Sequence, residues 1–466
     1  MTLTRRPVLA MGAAFVFGAG GALGAAASGF FGTWFGTLDL GSRKLRLKLE
    51  VSEGPRATLY SLDQGGSPIP ASEARIDGES IFIAWAAISA RYEGRLSGGS
   101  IVGTFTQGGA LPLTFAREQG ASSKPEPLTQ ALLAKLRMDA GAPALAAAAL
   151  SSRGQRISFV DGRRAVNRGE AVTIADKWHV GSCTKSMTAT LIARAVEAGK
   201  IGWNDTVGQV LGGAIGDMHP AYRDATYRHL LSHRSGLAAN VDVSELITFP
   251  RESADARADR VAYARLALTR APAGKKEAHF EYSNSGYVVA GAMLEARLGA
   301  PWEKLMHEHV FAPLKMTGAG FGAPGTPGAY DQPVGHAANA AGALESFPPG
   351  GPVTDNPAVL GPAGRVHATL DDMLKYLSAH CFRSAFLKAD RWQTLHTAPF
   401  GGDYALGWER HDGALWHNGS NTLWYCEMQF DAARGIVSAA AANDGRIGNM
   451  SVPVGKALNS AAVAVA

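Results

Sequence analysis

Hydrophobic and charged positions alternate early in the chain: Leu45, Leu47, Leu49 and Val51 are separated by Arg46, Lys48 and Glu50. A period of two turns one face to a core and the other to water, as in a half-buried strand. Short apolar runs follow at Ala57–Ser61, Ile81–Trp85, Arg91–Leu96, Ile101–Thr106 and Leu111–Phe115, separated by Gly and Pro clusters. The segment Gly32–Leu38 is loosely echoed at Tyr92–Leu96 and Ile101–Phe105. About eight short strands in this stretch predict a small all-β barrel or sandwich over residues 30–118. It holds no catalytic constellation, which suits a stabilising or docking module.

Residues 119–127, with Ser122, Ser123, Pro125 and Pro127, form a polar linker. The period then changes. Leu128, Leu132 and Leu136 recur at helical spacing, and Ala144–Leu150 with Arg156–Val160 predict a hairpin around Ser151–Gly154. Helical patterns dominate the middle. Tyr404–Glu409, Ala414–His417, Leu423–Phe430 and Ile436–Ala442 read as consecutive strands, and Val452–Ala464 as a closing helix. Strands at both ends with helices between predict an α/β domain over 128–466, its terminal strands joined in one antiparallel sheet.

Length and composition agree with this division. A chain of 466 residues, 46% hydrophobic and 18% charged, has the make-up of a two-domain globular protein. Residues 1–27 read as an export signal: Arg5-Arg6 precede a Gly/Ala-rich apolar stretch that ends at Ala25-Ala26-Ala27. Paired arginines followed by Val8 and Leu9 resemble a twin-arginine signal, which predicts a periplasmic or secreted protein. An uncleaved N-terminal membrane anchor is the alternative. Without Arg5 and Arg6 the formal charge falls from +5 to +3, and no dense basic run argues for nucleic acid. Three cysteines remain, and an oxidising compartment would allow Cys381 to pair with Cys426. Cys183 reads as a small buried side chain.

Three short boxes carry the candidate chemistry. In the first, Ser182-Cys183-Thr184-Lys185 opens an amphipathic helix marked by Met187, Leu191, Ala195 and Val196. Lys185, three residues after Ser182, lies on the same helical face. The helix N-terminus supplies unpaired N–H groups where an oxyanion would form. A desolvated lysine can take the serine proton. In the second, Tyr282-Ser283-Asn284 precedes the helical run Val288–Leu298. Its phenol, which a neighbouring ammonium would make easier to ionise, can relay a proton, and its amide can orient Lys185 or a substrate. In the third, His417-Asn418-Gly419-Ser420 lies between two predicted strands. Gly419 allows close approach, and the Ser420 N–H is a candidate second oxyanion donor. Alone, each box has a plain alternative: an N-cap serine, a packing tyrosine with a capping asparagine, or an Asn-Gly hairpin turn.

In this order the boxes resemble the penicillin-recognising serine hydrolases: class C β-lactamases, D-peptidases and β-lactamase-like esterases. The resemblance begins near Leu128 and extends to the C-terminus. It takes in Trp178–Ser182, Arg228–Leu237, Gly361–Gly364 and Tyr404–Trp408. It implies an antiparallel sheet flanked by helices plus a helical subdomain. It also implies Ser182 as acylated nucleophile, Lys185 with Tyr282 as general-base pair, and Asn284, His417, Gly419 and Ser420 around the substrate. The activity implied is that of an esterase or D-amino-acid-type amidase or peptidase acting on a small ester, amide or peptide. Alternatives are a class C-like β-lactamase and a slowly deacylating penicillin-binding or sensor module. His417 departs from the lysine usual in β-lactamases. With an ordinary pKa near 6.5, it predicts weak penicillin hydrolysis and firmer carboxylate binding as pH falls. No metal pattern or phosphate loop is present, so neither a metal nor a cofactor or nucleotide is inferred. His307-Glu308-His309 reads as a polar helix face.

Overall fold

The computed structural model describes residues 29–39, 44–54, 56–61, 68–117, 125–411 and 413–466. The arginine-led segment 1–27 and most of the 119–127 linker lie outside the described residues. The chain divides into two compact units between Ser123 and Lys124.

The first unit is one antiparallel sheet of nine strands: β1 (Gly32–Asp39), β2 (Lys44–Ser52), β3 (Arg56–Ser61), β4 (Pro68–Pro70), β5 (Glu73–Asp77), β6 (Ser80–Trp85), β7 (Ala90–Ser97), β8 (Ser100–Thr106) and β9 (Ala110–Ala116). Their order is β4-β3-β2-β1-β9-β8-β7-β6-β5, so pairing of the first strand with the last joins two meanders. Alternation decides the inner face, where Trp34, Leu49, Leu59, Ile83, Trp85, Tyr92, Ile101 and Phe115 form the core. β4 and β5, absent from the sequence-based expectation, are the edges. The first is a Pro-Ile-Pro run, and proline is confined to sheet edges because it cannot donate to a ladder.

The second unit is built on a six-stranded antiparallel sheet. Its strands are β10 (Ala144–Ser151), β11 (Arg156–Gly162), β17 (Glu409–His411), β18 (Ala414–Ser420), β19 (Tyr425–Asp431) and β20 (Ile436–Ala442), in the order β11-β10-β20-β19-β18-β17. N- and C-terminal strands therefore share one sheet, as the pattern predicts. β10 and β20 are alanine-rich because both faces are covered. Ala144, Ala146 and Ala148 meet the larger core, and Leu145, Ala147 and Ala149 meet a second core. That second core is closed by helix α1 (Gln130–Ala140) and by α6 (Ile447–Ala464). The larger core holds α2 (Thr184–Glu197), α3 (Ala256–Leu268), α4 (Asn284–Leu298) and α5 (Leu370–Cys381). Three short strands, β12 (Lys177–His179), β13 (Gly320–Phe321) and β16 (Val366–Thr369), form a separate sheet, and β14 (Gly335–Ala338) with β15 (Leu344–Phe347) a hairpin.

Three expectations change. Tyr404–Trp408 is a turn, closed by the Ala405 N–H on the Trp408 carbonyl at 2.7 Å, and only Glu409 enters a strand. His417–Ser420 is not a hairpin turn: β18 runs through it, Asn418 facing Glu427 and Gly419 facing Cys426. Cys381 and Cys426 are buried free thiols rather than a disulfide. Cys381 lies against the carbonyls of Asp431 and Ile436, whereas Cys426 is in hydrogen-bonding contact with Cys183. Among the described residues no helix is long and apolar enough to cross a membrane.

The helical half is stapled by Arg260. Its fully buried guanidinium binds Glu295 at 2.6 Å and Glu303 at 2.7 Å, and Glu295 also accepts the Trp302 N–H. A buried pair of this kind is held by its partners' mutual dependence more than by net gain. Arg260→Met should therefore cost about 3–5 kcal/mol by leaving Glu295 unpaired. Glu303→Gln, which alters only the more accessible partner, should cost roughly 1 kcal/mol or less. Denaturant midpoints at constant m-value give both numbers.

Candidate active site

Ser182 lies where β12 turns into α2. The Val180 N–H bonds to the Val366 carbonyl at 2.9 Å, fixing the strand end, and Gly181–Cys183 form a 3-10 turn continuous with α2. Lys185, in the first turn of α2 and three residues after Ser182, lies on the same face of the chain as that serine. Lys185 is fully buried, and Ser182 keeps partial access to solvent. The lysine Nζ lies 3.0 Å from Ser182 Oγ, 2.7 Å from Asn284 Oδ1 and 2.8 Å from the Ala363 carbonyl.

Close backbone approach needs two residues without side chains. A Cβ on Gly181, whose φ is +50°, would stand 2.3 Å from the Ser420 nitrogen, and one on Gly419 would stand 2.5 Å from the Ser182 nitrogen. The two glycines thus let the start of α2 lie directly on β18, with the Ser182 and Ser420 peptides side by side.

Tyr282 and Asn284 flank the helix start of α4. Ser283, not Asn284, is the cap: its Oγ accepts the Gly286 N–H at 3.0 Å. That frees the Asn284 amide, which accepts from Lys185 and donates to Asn240 Oδ1 at 2.9 Å. The Tyr282 hydroxyl is hydrogen-bonded to Ser182, and the Lys185 amine stands 4.8 Å above the Tyr282 ring. Ser182, Lys185, Tyr282 and Asn284 therefore converge on one point from two distant stretches of chain.

His417 stands differently. It is 2% exposed, with Nε2 2.8 Å from the Tyr404 hydroxyl and Nδ1 against the Asn418 carbonyl. A carbonyl only accepts, so Nδ1 carries the proton and Nε2 receives the Tyr404 O–H. Burial, reinforced by Lys185, lowers its pKa to about 3. The titration near 6.5 expected from sequence is therefore absent, and the ring is neutral throughout the physiological range.

Sequence reasoning did not reach Tyr404, Ala363, Asn240 or His233 as parts of this site. His233 packs its ring 4.3 Å from that of Tyr282. The segments Arg228–Leu237, Gly361–Gly364 and Tyr404–Trp408 did stand out in sequence, yet nothing in them says which atom would face Lys185.

The beta-lactamase family model matches residues 130–450. This chain belongs to the beta-lactamase family. Among curated proteins it is 29% identical to penicillin-binding protein 4 of Amycolatopsis lactamdurans, over 46% of this chain and 52% of that protein. It therefore spans about half the length of that relative. Among solved structures, the D-amino acid amidase of Ochrobactrum anthropi SV3 matches with a TM-score of 0.58 and 21% identity, over 71% of this chain and 96% of that one. The D-stereospecific amidohydrolase of Streptomyces sp. matches at 0.57 and 22%, over 71% and 98%. These two establish the fold, and the family relation supports serine hydrolase activity in general.

The electrostatics of this beta-lactamase-family site set Lys185 and Tyr282 apart. Burial lowers the Lys185 pKa from 10.5 to about 7, against a small opposing influence of Cys183. Burial raises that of Tyr282, and its bond to Ser182 only partly offsets this. The phenol is therefore harder to ionise than a free one, opposite to the sequence expectation. A neutral Lys185 has two N–H donors and one lone pair. Asn284 and Ala363 take the donors, leaving the lone pair for the Ser182 hydroxyl. Free amine increases as pH rises, so kcat/KM for a neutral ester should climb with pH through a midpoint at about 7. Asn284→Asp places an anion beside the amine, raises its pKa, and should move that limb upward by about one unit or more. A stopped-flow pH profile of both proteins reads the shift.

Proposed function

We propose that the chain is a serine hydrolase that cleaves a small ester or amide through an acyl-enzyme on Ser182, as an esterase or D-amino-acid-type amidase. The observation that carries this reading is the buried Lys185 amine, its pKa lowered to about 7, standing 3.0 Å from Ser182 Oγ. Lys185 accepts the Ser182 proton as Oγ bonds to the carbonyl carbon. The oxygen becomes an oxyanion facing the Ser182 and Ser420 N–H groups, each such donor being worth roughly 3–4 kcal/mol. Collapse breaks the bond to the leaving group, and Tyr282 hands it a proton that Lys185 replaces. Water then cleaves the acyl-enzyme by the same path in reverse.

Substrate charge follows from the third box. Neutral His417, held by Tyr404, cannot supply the cation that would pair with a penicillin carboxylate. Uncharged acyl donors suit the site better. The similarity to a penicillin-binding protein of Amycolatopsis favours a second reading, in which Ser182 is acylated by penicillins and clears slowly. For localisation, the arginine-led segment supports export.

A fluorophosphonate probe should label Ser182 alone, and Ser182→Ala should lose both labelling and turnover with the fold retained. Across a panel, short-chain esters or D-amino-acid amides should exceed penicillins in kcat/KM at pH 8 by about tenfold or more. Time-resolved intact mass after penicillin separates the second reading, since a sensor stays acylated. For export, replacing Arg5 and Arg6 together by Lys should hold the precursor in the cytoplasm, because ammonium groups lack the guanidinium fork. Fractionation with an activity assay checks it.

A further inference from the structure

Tyr282 belongs to an irregular stretch rather than to a helix or strand, so something other than a regular ladder must hold its ring over Lys185. Both peptide N–H groups that flank it end on one residue. The Glu281 N–H donates to the His233 carbonyl at 3.0 Å, and the Ser283 N–H donates to His233 Nδ1 at 2.9 Å. The same imidazole lies 4.3 Å from the Tyr282 ring and 4.6 Å from that of Tyr404, which holds His417. His233 is 1% exposed and adopts φ +60°, a left-handed conformation unfavourable for a residue with a Cβ. Strain of this kind persists only where the surroundings impose it.

We infer that His233 is a positioning residue that clamps Tyr282 from both sides and fixes its hydroxyl at Ser182. The inference rests on the proton-carrying role proposed for Tyr282. An Nδ1 that accepts from Ser283 leaves the proton on Nε2, and that nitrogen has no hydrogen-bond partner. The ring is thus a neutral acceptor enclosed by aromatic faces, with Phe280 and Tyr287 completing the cage. Burial and the nearby Lys185 keep it from charging. It touches no reacting atom, and its effect passes through the peptide on either side of Tyr282.

Two substitutions keep the left-handed backbone accessible. His233→Gly removes the side-chain acceptor, whereas His233→Asn places Oδ1 where Nδ1 stood. With a neutral ester, the glycine variant should lose about 100-fold in kcat with little change in KM, the scale of a misplacement near one ångström. The asparagine variant should recover most of that loss. In a Tyr282→Phe background neither change should lower kcat further, since the clamp would have nothing left to place. Wild-type kcat in the glycine variant, equal losses in both variants, or losses that multiply with Tyr282→Phe would overturn the clamp. Should the glycine variant not fold, His233→Gln takes its place, its acceptor lying at the Nε2 end, and the asparagine variant should still exceed it. Full activity of Tyr282→Phe itself would instead remove the role proposed for Tyr282, a result distinct from failure of the clamp.

Discussion

The site depends on one amine kept from water. Lys185 is fully buried on α2, and each of its three polar neighbours comes from a different part of the chain: Ser182 just before α2, Asn284 from the start of α4, and the Ala363 carbonyl. Desolvation lowers its pKa to about 7, and the neighbours orient it. Any loosening that let water reach Nζ would restore an ordinary ammonium. The packing of helices around α2 is therefore part of the chemistry, although most of those residues touch nothing reactive.

The sheet serves the same end. Alanine on both faces of β10 and β20 lets helices settle close on either side, and β18 reaches Ser182 because Gly181 and Gly419 permit backbone-to-backbone contact. The short sheet of β12, β13 and β16 anchors the segment just before Ser182. The N-terminal sheet, with its own aromatic core, brings no comparable cluster of reactive groups among its described residues.

Much of this was legible in the sequence, for identifiable reasons. Period-two alternation marked β2, and the return of strands at the C-terminus marked the six-stranded antiparallel sheet. The S-x-x-K spacing placed Lys185 because a helical turn carries i onto i+3. What escaped depends on three-dimensional burial. Tyr282 was expected to ionise beside a cation, but the cation is itself neutralised by burial, so desolvation dominates both groups. His417 was expected to titrate near neutrality, and burial, reinforced by the nearby Lys185, prevents that. Tyr404–Trp408 has the composition of a strand and becomes a turn. His233 lies within the Arg228–Leu237 span that stood out in sequence, but only its left-handed backbone and its packing show that the ring meets Tyr282.

Burying Lys185 also links folding to acidity. Released from the fold, its amine would bind a proton up to about pH 10.5, while in the folded chain it does so only below about 7. Between those values the unfolded chain holds the extra proton, so stability rises with pH across that window. At about 1.4 kcal/mol per unit, this one side chain makes the native state on the order of 5 kcal/mol less stable at pH 7 than at the alkaline end. The alanine-packed sheet and its surrounding helices must outweigh this standing thermodynamic load beside Ser182.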